Sequence, residues 1–216
     1  MTSMEPTLQV WADIRCPWCW MGHRRLGAAI RRTGLAVKVE YRSFLLEPKG
    51  PATGRRRVGE VAVSEWGLSA TDWAARRERI EQSAREDDLT IHIDSARTID
   101  SRDAHRVLKL VAARGLDTAA AWEAMFVAHL EDNHDLEDWQ HLARIGVEAG
   151  LGRREILALA ESDDFGAEVL ANHNEAQSSG IHAVPTVAHG QRRLAGARSV
   201  SELEAFVRSA ASEAVA

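Results

Sequence analysis

The spacing of apolar residues changes three times within the first 60 residues. The mainly apolar run over 7–14 predicts a short buried strand. From 20 to 32 apolar residues recur at helical spacing among arginines and a histidine, and Gly34 ends the pattern. Alternation over 35–46 predicts a second strand, and the prolines and glycines of 47–59 predict a loop.

Helical periodicity dominates the middle of the chain, from about 61 to 179. Capping residues and glycine stops divide it into helices over about 69–87, 100–114, 118–130, 136–149, 153–161 and 164–178. The pattern then changes again, and predicts a β-hairpin over 186–189 and 192–195 with a final helix over 199–211.

This order of elements predicts an α/β fold in which a sheet is interrupted by a large all-helical insertion. We expect residues 1–60 and 180–216 to form the domain that contains the sheet. Residues 61–179 are expected to form the helical insertion domain.

Composition and charge narrow the class of protein. The 216 residues are 45% hydrophobic and 27% charged, with a net charge of −5, which is typical of a soluble domain and gives no general attraction to nucleic acid or anionic membranes. No run approaches the roughly 20 apolar residues of a membrane span. Residues 1–6 lack the pattern of a signal peptide, so we expect a cytoplasmic protein.

The only two cysteines, Cys16 and Cys19, lie between the first predicted strand and the first predicted helix. A helix N-terminus favours a thiolate at the first cysteine, because its amide groups and dipole stabilise negative charge. Cys19 follows within one turn, close enough to close a disulfide. This layout is typical of a redox dithiol in which Cys16 attacks and Cys19 resolves the mixed disulfide. In a cytoplasmic protein, a lone pair is more often catalytic than structural.

Other interpretations of the pair have less support. Zinc would need two further ligands, and the nine histidines are scattered, so no metal is expected. A structural disulfide that closes so short a loop would stabilise the fold little. Two inert buried thiols remain the simplest alternative. The chain also has no glycine-rich phosphate motif, which argues against a nucleotide cofactor.

Several residues near the pair are candidates for supporting roles. Pro17 and Trp18 occupy the helix start, where Trp18 either forms an apolar substrate surface or simply packs. His23 shares a helix face with both cysteines, and His182 lies three residues before Pro185. Each histidine could handle protons, or be an ordinary solvated or core residue.

More distant candidates concern the substrate. Arg55, Arg56 and Arg57 form either an anion-binding loop or a solvated charge run. We expect residues 49–57 to line an apolar groove with a cationic rim, together with Trp18 and Val184. The remaining tryptophans of the insertion are expected to be core residues: Trp66, Trp73, Trp122 and Trp139.

The chain resembles the FrnE-like branch of the DsbA-type thioredoxin-fold proteins. Five stretches carry the resemblance: Cys-Pro-Trp-Cys at 16–19, Gly-His-Arg-Arg-Leu at 22–26, Phe-Leu-Leu-Glu-Pro at 44–48, Ser-Arg-Asp-Ala-His-Arg at 101–106 and Gly-Ile-His-Ala-Val-Pro-Thr at 180–186. The resemblance implies a thioredoxin-like fold and a thiol–disulfide oxidoreductase without a bound cofactor, with glutathione as a candidate redox partner.

The same resemblance implies a cis bond between Val184 and Pro185, packed against the dithiol. Val184 would then present its backbone to a thiol or disulfide substrate, which can be a protein or a small molecule. Thioredoxins carry a buried acid six residues before the first cysteine, where this chain has Val10. Asp13 is the nearest acid, so its part in proton handling is open.

Two other functions stay open at this point. The branch is related to kappa-type glutathione transferases and 2-hydroxychromene-2-carboxylate isomerase, which carry serine in place of Cys16 and lack the second cysteine. A glutathione-dependent transferase or isomerase of aromatic compounds is therefore the main alternative, although Cys19 would be superfluous to it. The third is a chaperone-like binding module that uses the tryptophan-rich surface.

Overall fold

The computed structural model describes residues 5–213, which form strands and helices in the order expected for an interrupted sheet. The elements are β1 (Thr7–Ala12), α1 (Pro17–Thr33), β2 (Lys38–Ser43), α2 (Val58–Ser64), α3 (Ala70–Arg85), α4 (Arg102–Ala113), α5 (Thr118–Phe126), a π turn (Val127–Glu131), α6 (Trp139–Glu148), α7 (Arg153–Ala160), α8 (Gly166–Ser178), β3 (Thr186–His189), β4 (Arg192–Ala195) and α9 (Val200–Glu213). Residues 1–4 and 214–216 lie outside the described residues. The two ends of the predicted sheet domain, and most of residues 1–6, which were compared with a signal peptide above, therefore lie outside them.

The sheet has the strand order β2-β1-β3-β4. β1 runs parallel to β2 and antiparallel to β3, so Val10 is paired with Tyr41 on one side and with Val187 on the other. Between β2 and β3 the chain forms α2 to α8, and within residues 5–213 this insertion adds no strand to the sheet. The predicted α/β architecture with a helical insertion is confirmed, whereas the boundaries at 60 and 180 remain a prediction.

Helix α1 belongs to two hydrophobic cores because its apolar residues cover two faces. Leu26 and Ala29 pack with α9 and the β1 residue Leu8, under one face of the sheet. Trp20 and Met21 join the large core of the insertion, where Trp20 stacks on Phe126 with ring centroids 6.4 Å apart. The helix that carries the cysteines is therefore fixed to both parts of the fold.

The structure differs from the sequence prediction at several places. α2 begins at Val58, inside the predicted loop, because Val58, Val61 and Ala62 are spaced to bury one short helical face. Trp66 is 44% exposed instead of buried in the insertion core. β2 ends at Ser43, since beyond it the backbone amides bond to side chains: Leu45 donates to His173 and Leu46 to Asp13.

No helix among residues 5–213 combines the length and the apolarity that a membrane crossing requires.

A buried carboxylate ties the sheet to the insertion. Asp13 follows β1 and is fully buried. Its Oδ2 accepts hydrogen bonds from the Leu46 amide at 2.8 Å, just after β2, and from the Ser101 hydroxyl at 3.3 Å, just before α4. Its Oδ1 accepts from the Arg15 amide at 3.1 Å, and Nε2 of His105 lies 3.7 Å from the same oxygen.

Burial by itself raises the pKa of Asp13, but the surrounding groups more than reverse this effect. The neighbouring His105 imidazole, the Arg15 guanidinium and the Leu46 amide together lower the pKa to about 2. The carboxylate is therefore charged at neutral pH, and its charged form stabilises the folded state.

We expect Asp13→Asn to lower the free energy of unfolding at pH 7 by on the order of 2 kcal/mol. This is the free-energy equivalent of the difference between the unfolded and the folded pKa of Asp13. A depressed pKa stabilises the fold above the unfolded value of about 3.9, and this contribution is lost as the pH falls toward the folded value. Wild type should therefore lose stability between about pH 4 and pH 2, as measured by urea unfolding at several pH values, and the variant should lose less.

The matched control is Asp163→Asn, which removes an exposed carboxylate on the insertion surface. This control should follow the wild-type pH dependence. Identical pH profiles for Asp13→Asn and wild type would contradict the role given to Asp13.

Candidate functional site

The two cysteines occupy the start of α1 in unequal positions. Cys16 immediately precedes the helix in an extended conformation, and Pro17 takes the first helical position, where its missing N–H costs nothing. The Cys19 amide donates to the Cys16 carbonyl at 2.9 Å, which places Cys19 in the first turn. Both are free thiols; Cys16 is 6% exposed and Cys19 is 1% exposed.

The surroundings of Cys19 favour its neutral form. Burial is the largest cause that raises the pKa of the Cys19 thiol well above its usual range, and the adjacent Cys16 sulfur raises it further. Cys16 instead lies where the free amide groups of the helix start are directed. The geometry therefore separates a thiol at the helix N-terminus from a protonated thiol behind it.

A loop before β3 approaches Cys16 from the other end of the chain. The peptide bond between Val184 and Pro185 is cis, as the family resemblance implies, and the Val184 carbonyl oxygen lies 3.8 Å from Cys16 Sγ. The Gly196 amide donates to the Pro185 carbonyl at 2.8 Å and holds the loop from behind.

Gly22 permits this approach. A Cβ at position 22 would lie 2.7 Å from Cγ of the Pro185 ring, closer than real side chains come. The absence of a side chain on this face of α1 therefore lets the Pro185 loop touch the helix beside the dithiol.

A cavity of about 340 Å³ opens beside Cys16, between the start of α1 and the insertion. Its walls come from the helix start, the segment after β2, α2, α3, the segment before α4 and the π turn. They consist of Arg15, Cys16, Pro17, Trp18, Leu46, Glu47, Val58, Trp66, Trp73, Arg76, Ile80, Ile93 and His129. The wall is mainly apolar, and the sulfur that it contains is that of Cys16 rather than Cys19.

The charged and polar groups of the cavity are few. Arg15 Nη2 lies 2.6 Å from Glu47 Oε2, so these two charges compensate each other. Within residues 5–213, Arg76 forms no ion pair, whereas its neighbour Arg77 is paired with Glu81 and Asp94. His129 is buried, and its Nδ1 has no hydrogen-bond partner in the described part of the chain.

Burial, helped by the positive charge of Arg15, lowers the pKa of His129 to about 4. The imidazole is therefore neutral at physiological pH, and offers one hydrogen-bond donor and one acceptor.

The residues predicted from sequence do not all meet at the dithiol. Cys16, Pro17, Trp18, Val184 and Pro185 converge there. His23 lies on another side of α1, where its Nδ1 is 2.5 Å from the Tyr41 hydroxyl and its Nε2 is 3.4 Å from Glu123. His182 is exposed and its Nδ1 lies 3.0 Å from Gln177 Oε1.

The cationic rim of the groove was predicted from the wrong residues. Arg55 is ion-paired with Asp135 and Glu137, and Arg56 with Glu60 and Glu65, so their charges are compensated. No residue of 49–57 lines the cavity beside Cys16, and neither does Val184, so Trp18 alone of the predicted groove residues does.

Much of the insertion side of the site was not predictable from the sequence. Trp73 is buried in the insertion core as expected, but it also lines the cavity, as does the exposed Trp66. Arg76 and His129 carry no motif that would have distinguished them. The available signal was the spacing of Trp73, Arg76 and Ile80, which places three residues on one face of α3. Among residues 5–213, no three histidine, cysteine, aspartate or glutamate side chains are grouped as a metal site requires.

Solved structures share this fold over most of their length. A protein described as a probable DsbA oxidoreductase from Streptomyces coelicolor is 25% identical, with a TM-score of 0.87 over 97% of this chain and 91% of that chain. A 2-hydroxychromene-2-carboxylate isomerase is 16% identical, with a TM-score of 0.70 over 97% and 98% of the two chains.

A third structure is the cytosolic disulfide reductase DsbM from Pseudomonas aeruginosa. It is 19% identical, with a TM-score of 0.61 over 94% of this chain and 97% of that chain, and another structure of DsbM is a complex with GSH. At these identities the isomerase and the reductase show the fold alone. No curated protein sequence matches the chain.

The model of one protein family spans the sheet, the dithiol and the insertion together. It is the DsbA-like thioredoxin domain, and it matches residues 7–208. The chain therefore belongs to the DsbA-like thioredoxin family.

Proposed function

We propose that this protein is a thiol–disulfide oxidoreductase in which Cys16 is the attacking thiolate and Cys19 the resolving thiol. The observation that carries the proposal is the unequal placement of the two sulfurs. Cys16 lies at the helix N-terminus, on the cavity wall and next to the Val184 carbonyl. Cys19 lies behind it, with burial raising the pKa of its thiol.

The proposed reaction has two exchange steps. The Cys16 thiolate attacks a substrate disulfide, whose S–S bond breaks as a bond forms between Cys16 and one substrate sulfur; the other substrate sulfur leaves as a thiolate and takes a proton from solvent. Cys19 then loses its proton to solvent and attacks Cys16 Sγ; the bond between Cys16 and the substrate breaks, and the second substrate sulfur leaves as a thiolate. Two electrons pass from the dithiol to the substrate, and the reverse sequence oxidises a substrate dithiol.

The raised pKa of Cys19 suits the order of these steps. A thiol that stays protonated cannot compete with Cys16 for the substrate disulfide, because the thiolate is the nucleophile. Once the mixed disulfide has formed, the negative charge of the Cys16 thiolate is gone. One of the causes that raise the pKa of Cys19 is thereby removed.

Glutathione as redox partner and a cytoplasmic location are parts of the same proposal. Both are supported by the fold shared with the cytosolic reductase DsbM, for which a structure with GSH exists. Val184 and Pro185 are proposed to contact the substrate sulfur, since the Val184 carbonyl already lies beside Cys16.

A glutathione-dependent isomerase or transferase of aromatic compounds is the second candidate. The fold shared with 2-hydroxychromene-2-carboxylate isomerase and the tryptophan-lined cavity favour it. That chemistry uses one activated thiol or hydroxyl and has no step for Cys19, so removal of Cys19 separates the two functions.

We expect Cys19→Ser, mixed with a disulfide such as oxidised glutathione, to form a stable mixed disulfide at Cys16, because the resolving thiol is absent. Under the same conditions, wild type should form an intramolecular disulfide, and Cys16→Ser should form no adduct. Intact-mass and peptide mass spectrometry distinguish these products. Undiminished multiple turnover by Cys19→Ser would contradict the dithiol mechanism and favour the second candidate.

We expect Gly22→Ala to slow disulfide exchange by about tenfold, equivalent to about 1.4 kcal/mol in activation free energy. The added methyl group would displace the Pro185 ring, and with it the Val184 carbonyl beside Cys16. Stopped-flow measurement of Cys16 oxidation tests this expectation.

Gly27→Ala is the matched control on the same helix, because a Cβ there meets only the flexible end of Arg31, at 3.3 Å. Both substitutions raise the intrinsic helix propensity of their position by the same amount, about 1 kcal/mol. Equal rates for the two variants would show that contact with Pro185 does not position the site.

A further inference from the structure

We infer that the cavity beside Cys16 selects small aromatic thiols or disulfides that carry a negative charge, with the ring between tryptophans and the charge at Arg76. The inference rests on the proposed function, since it assigns a substrate class to the same dithiol.

The shape of the cavity suits a small organic molecule. Its volume of about 340 Å³ falls in the range of small-ligand pockets. Three indole rings contribute to its wall, from Trp18 at the start of α1, Trp66 after α2 and Trp73 on α3. Indole surfaces favour aromatic partners, which stack on them or meet them edge to face. The body of the ligand that fits is therefore an aromatic ring.

The charge of the cavity is set by one residue. Arg15 is compensated by Glu47 at 2.6 Å, which leaves Arg76 as the wall cation without an ion pair among residues 5–213. Arg76 follows Trp73 by three positions and precedes Ile80 by four, so α3 presents all three to the cavity.

The position of Arg76 fixes where the negative group of the ligand lies. Arg76 is exposed, as is much of Trp66, so both mark the mouth of the cavity rather than its interior. An anion at the mouth can approach the guanidinium while it remains hydrated, and the aromatic ring enters toward Cys16.

The environment of His129 is a second, independent observation that points to a ligand. It is 1% exposed and lies on the π turn between α5 and α6, and π-helical turns occur often at functional sites. Its Nδ1 has no partner in the described chain, although buried polar groups are normally hydrogen-bonded. Because His129 lines the cavity, its imidazole offers a ligand a polar group in an otherwise mainly apolar wall.

The experiment compares four disulfides as oxidants of the reduced protein in stopped-flow measurements. Dithiobis(nitrobenzoate) is aromatic and anionic, dithiodipyridine is aromatic and uncharged, oxidised glutathione is anionic without an aromatic ring, and hydroxyethyl disulfide has neither property. Each rate constant is divided by that of the same reagent with a free model thiol, which removes differences in intrinsic reactivity.

We expect wild type to give the highest relative rate with dithiobis(nitrobenzoate). Arg76→Gln should lower that rate about two- to fivefold, the range of a solvent-exposed ion pair, and leave dithiodipyridine unchanged. Trp66→Ala should lower the rates of both aromatic reagents about fivefold through lost ring contact, without an effect on hydroxyethyl disulfide.

Arg79→Gln is the matched control, because Arg79 is an exposed arginine of the same helix that does not line the cavity. It should leave all four rates unchanged. Equal relative rates of wild type with all four reagents would overturn the inference, as would equal effects of Arg76→Gln and Arg79→Gln. The proposed function would survive either result, since Cys16 would still exchange. Failure of Cys16 to react with any reagent would overturn both.

Discussion

The buried charge of Asp13 is the constraint on which the site depends most. A carboxylate cannot stay charged in a protein interior without hydrogen-bond donors, and here they come from the adjacent turn and from two distant segments. The amides of Arg15 and Leu46 and the hydroxyl of Ser101 all meet the same side chain. The carboxylate therefore fixes the ends of β1 and β2 against the start of α4.

The contacts of Asp13 also fix the position of the dithiol. The Cys16 amide donates to the Asp13 carbonyl at 3.1 Å, so the turn that leads into α1 begins at the fixed residue. Burial is the main cause that raises the pKa of Cys19; a hydrogen bond with the Asp13 backbone lowers it, and the Asp13 charge raises it by a smaller amount. With a pKa of about 2, Asp13 remains ionised at neutral pH, and its part in proton handling stays a prediction.

Helix α1 connects the dithiol to both hydrophobic cores of the molecule. Trp20 lies in the core of the insertion and Leu26 in the core beneath the sheet, so the helix cannot shift without disturbing both. Gly22, on a third face, accepts the ring of Pro185. Cys16 is thus surrounded by the loop before β3 on one side and by the cavity of the insertion on the other.

Local features of the chain were predictable and long-range ones were not. The hairpin over 186–195 and the helix that begins at Pro17 follow from periodicity and turn residues. The cis bond before Pro185 was predicted from the family resemblance alone, because local residue spacing does not show which isomer a peptide bond adopts or which distant segment it contacts. His129 and Arg76 escaped prediction, since only folding brings the π turn and α3 to Cys16. Arg55 and Arg56 were overvalued because their acidic partners, such as Glu137 and Glu65, lie outside the arginine run.

The central claim is that the two thiols differ in reactivity because of where the fold places them. The most direct measurement is alkylation of the reduced protein near neutral pH with a small uncharged reagent, followed over time by peptide mass spectrometry at each cysteine. The account predicts that Cys16 is labelled much faster than Cys19, whose thiol stays protonated because burial raises its pKa. Equal rates at the two cysteines, or faster labelling of Cys19, would contradict it.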